Sequence, residues 1–397
     1  MKLSLCTIAK NEEASLPKCL SSVKDLVDEI VLLDMGSTDR TREIGQKFGA
    51  KVHDFQWCDD FAAARNEALK YVTGDWVLVL DADEAIAPEI VPQMKEAIHQ
   101  RNFVLINLLR QELGAIQAPY SLVSRLFRHH PDIRFEHPYH AMVDDSVARL
   151  LDREPERWQV GCLKPVAIWH QDSQNSVTAK KNKRQTARRV MAKYLGEHPN
   201  DAYTCSKLGA LYVEYGDLKQ GMELLERALA VENVELPILY ELNYHLGIAY
   251  SRRSKISRAK SHYQKALDVD ILPQLKLGAY NNLGNLLLQT GDLSGAIAAY
   301  EMVARLDPHL AVARFNLGIA LKEKGRVKEA IAAYRQAIEL QPDYAEAYQN
   351  LGVTLLKAGN VLESLDNFRA AIALYEQRQS PAAKKLRQTL QEMGLKL

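Results

Sequence analysis

Leucine–glycine pairs recur through the second half of this 397-residue chain, and their spacing limits the fold more than any other feature. They stand at Leu208-Gly209, Leu246-Gly247, Leu283-Gly284, Leu317-Gly318 and Leu351-Gly352, with the last three glycines 34 residues apart. Twelve residues after the later four glycines come Ala259, Ala296, Ala330 and Ser364, and four residues further on come Tyr263, Tyr300, Tyr334 and Phe368. Pro308 and Pro342 close two of the units. Small residues let two antiparallel helices approach, aromatics fill the gap between units, and proline, which lacks a backbone N–H, ends one unit before the next begins. A period of this length predicts a solenoid whose units bury their apolar faces against one another.

In length, small-residue placement, aromatic placement and closing proline the pattern resembles the tetratricopeptide repeat. Five units are expected within 201–378, at 202–235, 240–273, 277–310, 311–344 and 345–378. A capping helix over 379–397 carries Lys384, Lys385 and Arg387. The first unit is degenerate, with Gly221 and Leu225 where the small residue and the aromatic are expected. An ordinary helical bundle is the competing reading.

The first 110 residues follow another rhythm. Short apolar runs at Leu3 to Ile8, Glu29 to Asp34, Lys51 to Asp54, Trp76 to Leu80 and Phe103 to Leu109 read as strands. Helical stretches from about Glu12 to Lys24, Thr38 to Phe48, Phe61 to Val72 and Pro88 to Gln100 lie between them. Asp60 suits an N-cap, Gly49 a helix C-terminus and Pro88 a first helical turn. This α/β alternation predicts a mainly parallel sheet with helices on both faces, followed by an all-α solenoid. From 111 to 175 the rhythm is lost. Leu122 to Arg128, Ile133 to Phe135 and Val166 to Trp169 could be strands, but Pro119, Pro131, Pro138, Pro155 and Pro165 interrupt them.

Composition narrows the class of function. With 47% hydrophobic and 25% charged residues and a net charge of +1, the chain reads as soluble, with no general attraction to nucleic acid or an anionic membrane. Cys6, Cys19, Cys58, Cys162 and Cys205 are far apart and include no CxxC pair, so neither a disulfide framework nor a zinc knuckle is indicated. Leu3 to Ala9 is too short for a secretory signal and runs straight into Lys10-Asn11-Glu12-Glu13, and no run approaches the ~20 apolar residues of a membrane helix. Cytoplasm is the expected compartment, with contact at the inner face of a membrane as the alternative.

The strand at Trp76 delivers Asp81-Ala82-Asp83-Glu84 at its end. Two carboxylates two residues apart at an open strand end can share a divalent cation and a diphosphate. The carboxyl edge of an α/β sheet is also where ligands bind. Three more polar clusters fall at predicted strand ends: Thr7 to Glu13, Asp34 to Asp39, and Asp59-Asp60 with Arg65-Asn66. In a parallel sheet all would line one cleft, where carboxylates meet a base and ribose, Arg65 meets phosphate, and Mg²⁺ or Mn²⁺ suits the oxygen-rich setting.

Taken in order, Thr7-Ile8-Ala9-Lys10-Asn11-Glu12, Leu33 to Asp39, Phe61 to Asn66 and Asp81 to Glu84 resemble a family 2 glycosyltransferase with the GT-A fold, over about residues 1–175. The resemblance implies inverting transfer of a sugar from a nucleotide-diphosphate donor, with a UDP-sugar expected, and a metal neutralising the leaving group. It implies a donor site of Thr7, Ala9, Asn11, Glu12, Asp34, Asp39, Arg65, Asp81 and Ala82. Within that site Asn11 and Asp34 would meet the nucleoside, Asp81 the ribose or sugar, and Arg65 the base or diphosphate. The metal would lie on Asp83, with His170 as a further ligand or a diphosphate donor. Read from the residues alone, Asn11, Asp39 and Asp60 can each cap a helix, capping being the favoured role for Asn11 and Asp60, and Glu84 is either a support for the site or a solvated turn residue.

Inversion at a hydroxyl nucleophile also needs a base. Related enzymes carry His-Glu after an Arg-Leu-Phe-Arg strand. Here Arg125-Leu126-Phe127-Arg128 is followed by Tyr139-His140-Ala141, so the glutamate position is Ala141. His140 with Asp144 or Asp145 is the expected catalytic set, Glu136 being the other nearby carboxylate. A basic connecting helix over 176–200 holds Lys180, Lys181, Lys183, Arg184, Arg188, Arg189 and Lys193, for donor phosphates, an acidic acceptor, a membrane surface or simply solvent. The acceptor could be a glycan, a lipid-linked sugar or a protein, with the repeats docking it or a partner protein. The alternative is an inactive transferase-like domain acting with the repeats as a scaffold.

Overall fold

The computed structural model describes residues 1–115, 117–171 and 177–395, the side chains of 177–180 excepted. Residues 172–175 of the expected first domain, the Lys180 side chain of the basic run, and Lys396 and Leu397 of the expected capping helix lie outside the described residues. The chain divides into two compact units, 1–115 with 119–238, and 116–118 with 239–397.

In the first unit eight strands form one sheet: β1 (Leu3–Ala9), β2 (Glu29–Asp34), β3 (Lys51–Asp54), β4 (Trp76–Val79), β5 (Glu84–Ile86), β6 (Phe103–Glu112), β7 (Tyr120–Arg128) and β8 (Gln159–His170). They lie side by side in the order β3-β2-β1-β4-β7-β6-β8-β5. Strands β1 to β4 are parallel, as the alternation predicts, and so are β6 and β8. The β4–β7, β6–β7 and β5–β8 pairs are antiparallel, so the sheet is more mixed than the sequence suggests. The connection from β6 to β7 is too short for a crossover helix and forces a hairpin.

Helices α1 (Leu16–Val23) and α4 (Val91–Ala97) cover one face over Leu5, Leu16, Leu20, Leu78 and Met94. Helices α2 (Thr41–Lys47), α3 (Phe61–Leu69) and α5 (Asp144–Arg153) complete the layers. α3 and α5 pack on the opposite face over Cys6, Val31, Val79, Ala64, Phe127 and Val147. Strand alternation sends Leu78 to one core and Val79 to the other.

One proline-based expectation fails and one holds. β8 continues through Pro165, because its register against β6 shifts between the Leu108–Leu163 and Leu109–Val166 pairs and so leaves Lys164-Pro165 out of the ladder. Ile133 to Phe135 is not a strand, and only an isolated bridge from Glu136 to Met142 forms there.

The rest of the first unit holds α6 (Val177–Glu197), α7 (Ala202–Glu214), α8 (Leu218–Leu229) and the first turn of α9 (Leu236–Arg252). The second continues α9 with α10 (Ile256–Asp268), α11 (Leu277–Gln289), α12 (Leu293–Leu306), α13 (Ala311–Glu323), α14 (Val327–Leu340), α15 (Ala345–Lys357), α16 (Val361–Gln377) and α17 (Ala382–Glu392). The glycines of the repeat are required by close approach: a Cβ on Gly318 would lie 2.6 Å from the Tyr334 ring, and one on Gly352 2.8 Å from Phe368. In the first pair Leu225 fills the aromatic slot, 2.8 Å from a Cβ on Gly209. Ser364, at a small-residue position, donates its hydroxyl to the carbonyl of Gly352 at 2.8 Å, so the buried oxygen is satisfied.

Candidate active site

The carboxyl ends of β1 and β2 are laced together by their loops. Asn11 adopts a left-handed backbone (φ 58°), a conformation asparagine tolerates better than most residues. Its side-chain oxygen accepts from the Thr38 amide at 2.8 Å, and its own amide donates to Ser37 Oγ at 2.9 Å. Glu12 N–H donates to Thr41 Oγ1 at 2.8 Å, and Asp39 accepts from the amides of Thr41 and Glu13 at 3.0 and 3.1 Å. Asn11 therefore does not cap α1, whose N-cap position is Ser15, whereas Asp60 does cap α3 by accepting from Ala63 N–H at 2.9 Å.

Asp34, 1% exposed, lies in register with Ala9. Its Oδ2 accepts from Ser37 N–H at 3.1 Å and from Arg42 at 3.3 Å, while its buried Oδ1 has no partner. Thr7 Oγ1 is in the same condition. Burial pushes the Glu12 carboxyl up, against the opposing hydrogen bond from Ser15, and Asp83 adds repulsion.

At the end of β4, Asp81 is gripped by two arginines. Arg65 Nη2 on α3 donates to Oδ1 at 2.6 Å and Arg125 Nη2 on β7 to Oδ2 at 2.8 Å. Burial opposes the charge of Asp81, but Arg125 and Arg65 outweigh it and hold the carboxyl well below its ordinary range. The Asp81 amide donates to Glu84 Oε2 at 2.8 Å, and Arg110 binds Glu84 Oε1 at 3.0 Å. Glu84 is thus a buried anchor, and Ala82 is buried between the two aspartates. The sequence reading put Arg65 and Asp81 on different parts of a donor, and the structure joins them directly. Arg65 still has Nε and Nη1, and Arg125 has Nη1, buried without partners.

Strand pairing sets Glu84, His170 and Glu112 in one row across β5, β8 and β6. His170 Nε2 lies 3.2 Å from Asp83 Oδ2, and Nδ1 contacts Glu112. Asp83 first, and then Glu112, push His170 up to about 10. A carboxylate on the outer ring nitrogen is the arrangement that orients a metal-ligating histidine, but the Nε2 proton facing Asp83 would have to leave before the two could share an ion. Among the described residues no group of three or more His, Cys, Asp or Glu is placed to hold a metal ion. A hard cation here would therefore take its remaining ligands from diphosphate and water oxygens.

Asp144 and Asp145 open α5 with different surroundings. Asp145 Oδ2 pairs with Nε2 of buried His137 at 2.7 Å, and that bond holds the Asp145 carboxyl low. His137 also faces Asp201 at 3.7 Å and the Tyr203 ring at 4.8 Å. Burial lowers His137, yet Asp145 and Asp201 carry it above its ordinary value. Asp144 Oδ1 accepts from Ser124 Oγ at 2.7 Å, and its Oδ2 is buried without a partner. Burial pushes Asp144 up although Ser124 opposes the shift. Glu235, in the α8–α9 connection, is raised by the protein packed around it and then by Asp144 and Asp145. His140, expected beside the base, has a left-handed backbone (φ 55°) and offers its carbonyl to Tyr203 OH at 2.9 Å.

Sequence reasoning missed Arg125, Arg110, Ser124, Asn107, Glu112 and His137. Arg110 and Arg125 were detectable as arginines in apolar strands, which need a buried carboxylate partner.

A family model for glycosyl transferase family 2 matches residues 4–157, and tetratricopeptide models match 244–311, 320–359 and 345–378. A protein of Synechococcus elongatus described as a "TPR repeat-containing protein" is 42% identical over 304 residues, which are 76% of this chain and 75% of that one. An "uncharacterized glycosyltransferase" of Rickettsia felis is 34% identical over 101 residues, 25% of this chain and 35% of its own length. Among solved structures, YrrB, "a TPR protein with an unusual peptide-binding site", aligns with 47% of this chain and 92% of its own at 22% identity and TM-score 0.40. The chain joins a glycosyl transferase family 2 domain at 4–157 to tetratricopeptide repeats within 244–378, and it belongs with the repeat-containing Synechococcus protein.

Proposed function

We propose that this glycosyltransferase moves a sugar, with inversion, from a nucleotide-diphosphate donor, most simply a UDP-sugar, to a hydroxyl acceptor. One observation carries the reading. Of the ten buried side-chain N and O atoms without a partner among the described residues, six belong to Thr7, Asp34, Arg65, Arg125 and Asp144 at one edge of the sheet. Each such atom costs about 1–3 kcal/mol unless a ligand or an ordered water satisfies it.

Asp34, Thr7 and the Asn11 loop suit the nucleoside, and Ala9, Glu12 and Asp39 shape the wall on that side. Arg65 and Arg125 keep Asp81 ionised and have N–H groups left for donor oxygens. Asp83 and His170 would hold Mn²⁺ or Mg²⁺, which would offset charge on the departing diphosphate. Asp144 is the base, because its Oδ2 is unpartnered while Asp145 is committed to His137. The repeats are the docking surface for a protein partner or a protein acceptor. No helix among the described residues is long and apolar enough to cross a membrane, so contact with a lipid-linked acceptor would be peripheral.

Calorimetry of UDP with and without Mn²⁺, on wild type and Asp83→Ala, tests the donor site. Manganese-dependent binding that disappears in the variant is the expected result. A folded wild type that binds neither UDP nor GDP overturns the proposal in favour of a scaffold.

A further inference from the structure

The register between β6 and β7 slips once. Ile106 faces Leu126 and Leu108 faces Val123, so Asn107 alone opposes both Ser124 and Arg125. Two residues against one is a β-bulge, which turns consecutive side chains toward the same side instead of opposite sides. Arg125 goes to Asp81, and Ser124 goes to Asp144 Oδ1 at 2.7 Å and to the Asn107 side-chain oxygen at 2.9 Å. One hydroxyl has one proton and cannot serve two oxygens. The carboxylate is the stronger acceptor, so the proton goes to Asp144. The Asn107 amide, turned over, then donates N–H to Ser124 Oγ.

We propose that Ser124 is a positioning residue, held by Asn107, that fixes Asp144 by Oδ1 and leaves Oδ2 alone to receive the acceptor proton. This rests on Asp144 being the base in the function proposed above. In the step, the acceptor O–H proton passes to Oδ2 and the acceptor oxygen bonds to the anomeric carbon. The bond from that carbon to the diphosphate oxygen breaks, and its electron pair leaves with the nucleoside diphosphate. The bulge makes Ser124 and Arg125 neighbours, so one distortion of β7 sets the distance between the base and the aspartate at the donor. An unbulged strand would send one of the two away.

The test uses the full chain labelled with ¹³C at aspartate carboxyls, titrated by NMR, with Asp144→Asn identifying the Asp144 signal. Loss of a hydrogen bond of ~1–1.5 kcal/mol should raise the Asp144 midpoint by about one pH unit in Ser124→Ala, while Ser124→Thr keeps it near wild type. The same variants are followed for UDP release from UDP-glucose across pH, where the acid limb should move up with the midpoint in Ser124→Ala. An unmoved midpoint in folded Ser124→Ala overturns the positioning role. A midpoint that moves while Asp144→Asn still releases UDP at the wild-type rate shows that the contact exists but Asp144 is not the base, which removes the reading beneath the proposal. A Ser124→Ala chain that fails to fold leaves the Ser124→Cys midpoint to decide, since a thiol is a weak donor, with a rise expected and no rise counting against.

Discussion

The strand-end site and the repeat array solve opposite problems. In the site, buried arginines and aspartates keep N–H and oxygen atoms unpartnered, at a cost to stability. In the array, packing leaves little open: the Tyr300 hydroxyl reaches Asn285 at 2.7 Å, Asn316 bonds Asn281 at 3.0 Å, and Ser364 returns its proton to a carbonyl. Two buried atoms of the array, Gln274 Oε1 and Tyr334 OH, also lack partners, but they stand far apart in the chain, whereas the strand ends gather six. Stability and activity should therefore respond to substitution in different places.

The sharpest test of that contrast is Asp144→Asn. Sugar transfer should fall roughly 10²–10⁴-fold, the usual contribution of a general base, while the thermal midpoint stays level or rises because a crowded carboxylate has been neutralised. A parallel loss of stability would break the comparison. Next is Asp81→Ala, which strands Arg65 and Arg125. Urea unfolding should show a loss of about 2–3 kcal/mol, less than the ~3–5 of a fully buried pair because the Asp81 side chain is 34% exposed.

Gly318→Ala drives a methyl toward Tyr334 and should cost the array ~1–2 kcal/mol with UDP binding unchanged, read by denaturation beside calorimetry. The smallest effect is one of pH. Burial opposes the charge of Glu29, but Lys51, Ser4 and Thr73 hold it down to about 2. A depressed carboxyl stabilises above its unfolded value of about 4.5 and loses that contribution as pH falls toward 2. Glu29→Gln should therefore flatten the fall of thermal midpoint between those values, and an unchanged slope would remove Glu29 from acid unfolding.

The same contrast explains what was legible beforehand. Gly318 and Tyr334 touch because they lie sixteen residues apart in a helix pair, so local spacing reports the contact. Asp34, Asp81 and Asp83 were readable for a similar reason, since each sits at the tip of a strand. Arg125 and Glu112 meet their partners only through pairing between strands distant in sequence, and a one-residue slip in the β6–β7 hairpin decides where Ser124 points. Helix β-strand alternation could not reveal β5, a three-residue strand formed where Glu84 meets His170. Pro165 misled because a register shift absorbs it.

Neighbour-only packing in the array also has a mechanical meaning. Each helix from α11 to α17 rests chiefly on the ones before and after it in the chain. Pulled from the C-terminus, the solenoid should peel in small successive yields, α17 first, each pair letting go without warning the next. β8, laddered on both sides by β6 and β5, must instead shear many hydrogen bonds at once. A tugged partner would then lengthen the array long before it disturbed the strand that carries His170.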